Sequence, residues 1–171
     1  MKFPINKTQL ESSENIKKLV AGIEKPITME KLIELRDLMY SKLEILPYNE
    51  TTVEQEKSIR WKRTAAQIFE DGFVFSGKAC TDLVVSFLAL CQTFELETRF
   101  VKVKNEKMVH SVAEIKLNDG WYIFDVSTKT GIPIKGEITK ENPYKNWQLW
   151  KKGRDAWDLG LNNFEAINKV R

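Results

Sequence analysis

A thiol, an imidazole and a carboxylate occur along this chain in an order that suits acyl transfer. Cys80 stands where the loop Phe75-Ser76-Gly77-Lys78 passes into a long apolar segment. His110, the sole histidine, lies in the alternating stretch Val109-His110-Ser111-Val112-Ala113-Glu114-Ile115, and Asp125 ends the run Trp121-Tyr122-Ile123-Phe124-Asp125. A thiolate can attack a carbonyl carbon, an imidazole can carry the protons, and a carboxylate can fix the imidazole tautomer. Residue types alone are weak evidence, because most proteins contain all three. The elements that position them must carry the argument.

Periodicity predicts a helix over about Lys78 to Phe94, apolar almost all round from Leu83 to Cys91, which places it in the middle of the domain. Cys80 falls in its first turn, where unpaired backbone N–H groups and the helix dipole favour an anion. Cys91, three turns further on, reads as a small buried hydrophobe. After Glu97 the period changes to two, predicting strands over Arg99–Val103, Val109–Leu117 and Trp121–Val126. Asn118-Asp119-Gly120 reads as a tight hairpin turn with glycine in the left-handed position. Alternation puts His110 with Val112 and Glu114, and Asp125 with Trp121 and Ile123. Register then decides whether the two faces bring His110 and Asp125 together. A two-residue loop at Asp119-Gly120 sets Asp125 opposite Glu114, about 13 Å along the strand from His110. A four-residue loop, Leu117–Gly120, sets it opposite Val112, one diagonal from His110. A wider or bulged turn is therefore expected, and a strict two-residue hairpin would count against the triad.

The first half reads as helical. Thr28 is placed to cap a helix carrying Leu32, Leu35, Leu38, Met39 and Leu43 and ending before Pro47. A second helix is expected from Val53 to Glu70, with an exposed basic side of Arg60, Lys62 and Arg63 around Trp61. Beyond Ser127, an edge strand is expected near Ile134–Ile138 and a docking helix over Asn162–Val170. Tyr144, Trp147, Trp150 and Trp157 alternate with basic residues, a pattern that can stack on nucleotides but more often supplies core and rim. One tryptophan is a candidate wall of a substrate cleft.

Composition bounds the rest. The chain has 171 residues, 42% hydrophobic and 30% charged, with a net charge of +3. One domain, 1–171, is expected, with an N-terminal arm over 1–27, a core over 63–127 and a closing segment over 128–171. The mild charge argues against a nucleic-acid partner, and no apolar run is long enough to span a membrane. No signal-peptide pattern opens the sequence. Cys80 and Cys91, about 16 Å apart along one helix, cannot pair, which fits a reducing cytoplasm. No Cys/His spacing suits zinc, and no cofactor is expected.

The segment from Arg63 to Ser127 resembles the transglutaminase-like family, in particular its small microbial members. The resemblance rests on Lys78-Ala79-Cys80-Thr81-Asp82, Phe87-Leu88-Ala89-Leu90-Cys91, Glu97-Thr98-Arg99-Phe100-Val101, His110–Ile115 and Gly120–Asp125. It implies an α+β, papain-like fold, with a helical N-terminal lobe and a central nucleophile-bearing helix packed on an antiparallel sheet. It also implies Cys80 as nucleophile, His110 as general base and acid, and Asp125 as the orienting carboxylate. The chain departs from many relatives with Val112 in place of a tryptophan and Val126 in place of a proline. The papain-type glutamine six residues before the nucleophile is absent, that position being Val74. One oxyanion donor is then the Cys80 backbone N–H, with Trp61 Nε1 and Gln67 as candidates for the second. The expected activity is attack on a peptide or amide carbonyl through an acyl-thioester. Water as acceptor gives a cysteine peptidase or amidase, the favoured form; an amine gives a transglutaminase. Deglycosylation of asparagine-linked glycans carries less weight, and the alternative class is a non-catalytic protein-binding domain.

Overall fold

The computed structural model describes residues 7–171. Among the described residues five α-helices occur in chain order: α1 (Glu14–Leu19), α2 (Met29–Ser41), α3 (Val53–Ile59), α4 (Ala65–Asp71) and α5 (Cys80–Gln92). Two short strands, β1 (Glu44–Leu46) and β2 (Phe73–Phe75), pair in parallel within the helical half. The remaining strands are β3 (Thr98–Lys104), β4 (Val109–Leu117), β5 (Gly120–Phe124), β6 (Ile134–Lys135) and β7 (Gln148–Gly153). They form one antiparallel sheet in the order β6-β5-β4-β3-β7. A helical lobe packed on an antiparallel sheet is the α+β arrangement expected.

Helix α5 is central because it has no polar side to expose: every residue from Leu83 to Cys91 is buried. One flank packs against α2 and α4, and the other against the sheet. There Phe100, Ala113, Ile115 and Phe124 complete the main core, with Phe87 meeting Phe124 edge-to-face at 5.3 Å. Strand alternation sends Val101, Val103, Val112 and Ile123 to the opposite face. Ile138 and Tyr144 from the closing segment cover them there.

The single helix expected over Val53–Glu70 is two. The chain breaks between α3 and α4, with Trp61 in the left-handed region (φ 59°). Thr64 and Gln67 then start α4 with a reciprocal capping box. Of the basic side expected to be solvated, only Lys62 is exposed. Arg60 and Arg63 are buried, Arg60 in a bidentate pair with Glu56 and Arg63 bridging Asp71 and Asp82. Thr28 caps α2 as expected, accepting from Lys31 N. The edge strand foreseen near Ile134–Ile138 is the short β6, and the last helix is a 3-10 turn over Phe164–Lys169. Among the described residues no helix is long and apolar enough to cross a membrane.

Candidate active site

The position of Cys80 is built by the start of α5. Ala79 precedes the helix in an αR conformation and supplies no side-chain cap. The first backbone bond of the helix is Leu83 N to Ala79 O. The N–H groups of the turn that carries Cys80 are thus left without an intrahelical acceptor. Cys80 is partly buried and its sulfur lies 3.9 Å from Ser111 Oγ.

The carboxylate is positioned by register. β4 and β5 pair Lys116 with Trp121 and Ala113 with Phe124, which carries Asp125 opposite Val112. This is the register that brings Asp125 one diagonal from His110. The turn that achieves it is nevertheless a two-residue one, Asn118-Asp119, because Leu117 pairs with Gly120. A strict two-residue hairpin had been expected to separate the pair. It does not, because the turn is centred one residue earlier than Asp119-Gly120, and Gly120 takes the positive φ (130°) as the first residue of β5.

His110 Nε2 and Asp125 Oδ2 are 2.8 Å apart. The second carboxylate oxygen accepts from Ser127 N at 3.0 Å and from Ser127 Oγ at 2.6 Å, so the Asp125 carboxylate is fixed at both ends. The loop after Asp125 is pinned from α2: Arg36 donates to Gly131 O at 2.5 Å, and Tyr40 Oη donates to Val126 O at 2.9 Å. With Nε2 taken by Asp125, Nδ1 is the ring nitrogen left for the thiol. Trp147 stacks on the imidazole, centroids 5.2 Å apart and planes 29° apart. The closing segment therefore does supply a tryptophan at the site.

Electrostatics favour a charged pair. Burial alone would push the Cys80 thiol up. Lys102, the His110 ring and Ser111 outweigh it and bring the thiol down to about 6. Burial likewise works against the His110 cation. The Asp125 hydrogen bond and the adjacent thiol overcome this and raise the ring to about 9. Asp125 is held below the usual carboxylate range, its burial more than offset by His110 and Ser127. Cys91, buried and with no such partners, is driven up instead.

The two side chains expected to assist the oxyanion fare differently. Gln67 is exposed, and its Oε1 accepts from Thr64 N at 2.8 Å, so its carboxamide is spent on capping α4. Trp61 is buried, with its ring 4.7 Å from the Lys102 ammonium. Sequence reasoning missed Lys102, Thr81 and Ser111. The signal was a lysine at the core-facing parity of β3, two residues from Phe100, and a serine at the parity of Ala113 and Ile115. A cavity of about 840 Å³ opens beside the site, between the β3–β4 loop (Asn105 to Val109) and Asn146 and Gln148, which flank Trp147. Among the described residues no group of three or more His, Cys, Asp or Glu converges to hold a metal.

No family model and no curated protein matches the chain. A solved structure titled "Putative Cysteine Protease from Cytophaga hutchinsonii" is similar to it at 18% identity and a TM-score of 0.57. The match covers 90% of this chain and 48% of that one, so the chain spans about half the length of that protein. At this identity the likeness is one of fold: the helical lobe, central helix and antiparallel sheet are consistent with a papain-like α+β architecture.

Proposed function

We propose that the chain is a thiol-dependent acyl-transfer enzyme of transglutaminase-like type, acting on a peptide or amide carbonyl with water as the favoured acceptor. The observation that carries this reading is the convergence of Cys80, His110 and Asp125 with charges that favour thiolate and imidazolium together. The Cys80 thiolate attacks the carbonyl carbon, and the negative charge moves to the carbonyl oxygen beside the uncapped N–H groups of the α5 first turn. His110 gives its Nδ1 proton to the departing nitrogen, the C–N bond breaks, and an acyl-thioester remains on Cys80. Water then attacks the thioester as His110 takes its proton, the C–S bond breaks, and a carboxylic acid leaves. Trp61 is the remaining candidate for a second oxyanion donor. The cavity lined by Asn105 to Val109, Asn146 and Gln148 adjoins His110 along β4 and offers room for part of a peptide or protein substrate.

The test is to trap the intermediate. An activated acyl ester and a panel of peptide amides, mixed with the protein and quenched in acid, should add an acyl mass to Cys80, labile to hydroxylamine. His110→Ala should lose the adduct. The rate should be bell-shaped, falling below about pH 6 as Cys80 takes up its proton and above about pH 9 as His110 loses its own. A primary amine added to the acylated protein reads the acceptor: amide product would move the assignment to transglutaminase. A Cys80 that never acylates, and that titrates as an ordinary thiol near about 8.5, would sink the enzyme reading and leave a protein-binding domain.

A further inference from the structure

Lys102 lies in the middle of β3, on the side that faces α5, and is fully buried. Among the described residues no carboxylate pairs with it. Its Nζ is instead 3.0 Å from Ser111 Oγ, 3.3 Å from Thr81 Oγ1 and 4.7 Å from the centre of the Trp61 ring. A buried ammonium with no anion ordinarily gives up its proton. Burial does lower Lys102, and Arg60 adds to the effect; the group that opposes both is Cys80. The anion this lysine is built against is the thiolate.

Two hydroxyls connect the ammonium to the sulfur. Thr81 Oγ1 and Ser111 Oγ are 2.9 Å apart, and Ser111 Oγ is 3.9 Å from Cys80 Sγ. As an ammonium, Lys102 can only donate, so it occupies a lone pair on each oxygen and turns its third hydrogen to the indole face. Either hydroxyl can donate to the other, and where Thr81 donates to Ser111 the Ser111 hydrogen is left for the sulfur. As a neutral amine, Lys102 could accept one of those hydrogens and compete with the sulfur for it. The charge on Lys102 therefore removes a competing acceptor from the relay.

We propose that Lys102, acting through Thr81 and Ser111, is a second support for the Cys80 thiolate, built behind the nucleophile and separate from the His110–Asp125 pair. Lys102 is a positioning residue, and the proposal rests on the reading of Cys80 as nucleophile. The charged groups that act on Lys102 are Cys80, from the start of α5, and Arg60, from the break after α3. Asp82, also on α5, is held by Arg63, and Asp125 by His110. Of the two groups acting on Lys102 only the thiolate is anionic.

The test is the pH dependence of Cys80 alkylation by iodoacetamide, read by mass spectrometry with Cys91 as internal control, alongside thiolate absorbance near 240 nm. The wild-type midpoint is expected at about 6. Lys102→Met, which keeps the stem and removes the charge, should raise it by about one unit or more, a tenfold loss of thiolate at the old midpoint. Ser111→Ala should move it the same way by less, and Ser111→Thr, which restores a hydroxyl, should bring it back. A merely structural lysine would change melting temperature without moving this midpoint. His110→Ala should leave a thiolate more acidic than a free cysteine. An acid-shifted wild type that neither Lys102→Met nor Ser111→Ala disturbs would overturn the relay alone. A wild-type midpoint near about 8.5 would remove the nucleophile reading and the relay with it. Should Lys102→Met not fold, the Ser111 pair decides.

Discussion

Both faces of the five-stranded sheet bury charge, and they satisfy it in opposite ways. On the face turned from α5, Glu114 is fully buried and closed by its neighbours. Lys152 Nζ lies 2.8 Å from both its oxygens, Ile138 N donates at 2.6 Å, and Arg99 adds a longer contact at 3.4 Å. On the face turned towards α5, Lys102 meets two hydroxyls and an indole and no carboxylate. A closed cluster holds the fold and has nothing left to do. An open one keeps a charge available, and here it is aimed at the side chain best placed to react. Burial alone does not separate structure from chemistry; whether the buried charge has a counter-ion does.

The sharpest way to break this contrast is to remove a group at the Cys80 site and read activity rather than stability. His110→Ala takes away the proposed proton carrier and the ring whose charge favours the Cys80 thiolate. Acylation of Cys80 should fall by about a thousandfold or more, with little change in melting temperature, since His110 is at the site and not in the core. Loss of folding instead of activity would place His110 with Glu114, as structure. On the closed side the outcome reverses. Glu114→Ala leaves Lys152 and Arg99 beside a vacated carboxylate position and should lower stability by about 3–5 kcal/mol, read by denaturant unfolding. The pH midpoint of Cys80 alkylation in the remaining folded protein should not move. Lys102→Met, by comparison, should be near neutral in stability, because an apolar side chain of similar length replaces a buried charge that no carboxylate pairs.

How much of this was legible in the sequence follows from the range of the interactions concerned. The α5 helix, the β4 strand over Val109–Leu117 and the face that His110 and Asp125 each take could be read because apolar period and alternation are local; the register that brings the two together could not. The break between α3 and α4 was also written in the chain. Thr64 and Gln67 have capping-box spacing, but the continuing apolar stripe from Ile59 to Phe69 masked it. The turn position was less accessible: Leu117–Gly120 closes the hairpin on geometry that residue types specify only loosely. Arg63 could not be recognised as buried, because Asp82 reaches it from another helix. β7 was missed as well, since an edge strand of mixed lysines and aromatics has no alternation to show, and its pairing to β3 spans a long stretch of chain. Lys102 read as an ordinary strand lysine; only the placement of Thr81 and Ser111 beside it gives it a role.

The loop behind Asp125 offers a smaller test of how rigidly that carboxylate is held. A Cβ at Gly131 would lie 2.8 Å from Asp125 O and 2.9 Å from Thr128 Oγ1. The first of these is backbone and cannot turn aside. Gly131→Ala should therefore displace the Asp125 carbonyl or break the Arg36 bond to residue 131. The expected loss is about 1–3 kcal/mol in stability, together with a fall in acylation rate. A variant with unchanged melting temperature and unchanged rate would show that the loop adapts freely, and that α2 does not set the position of Asp125.

The smallest expected effect separates orientation from charge. Ser127→Ala deletes the hydroxyl 2.6 Å from Asp125 Oδ1 but keeps the Ser127 N–H on the same oxygen. Asp125 keeps its charge and its bond to His110; it loses one of the two contacts that stop the carboxylate rotating. A hydrogen bond to a charged group contributes about 1.5–3 kcal/mol when lost outright, and the surviving N–H should retain part of that. Acylation is thus expected to slow by about tenfold. The acid limb of the pH profile should stay near about 6, because Ser127 is not among the groups that set the Cys80 thiol. The alkaline limb should shift slightly down, since a looser Asp125 stabilises the His110 cation less. An acid limb that moved instead would mean that the thiolate depends on Asp125 more than on Lys102, and the division between the two supports would fall.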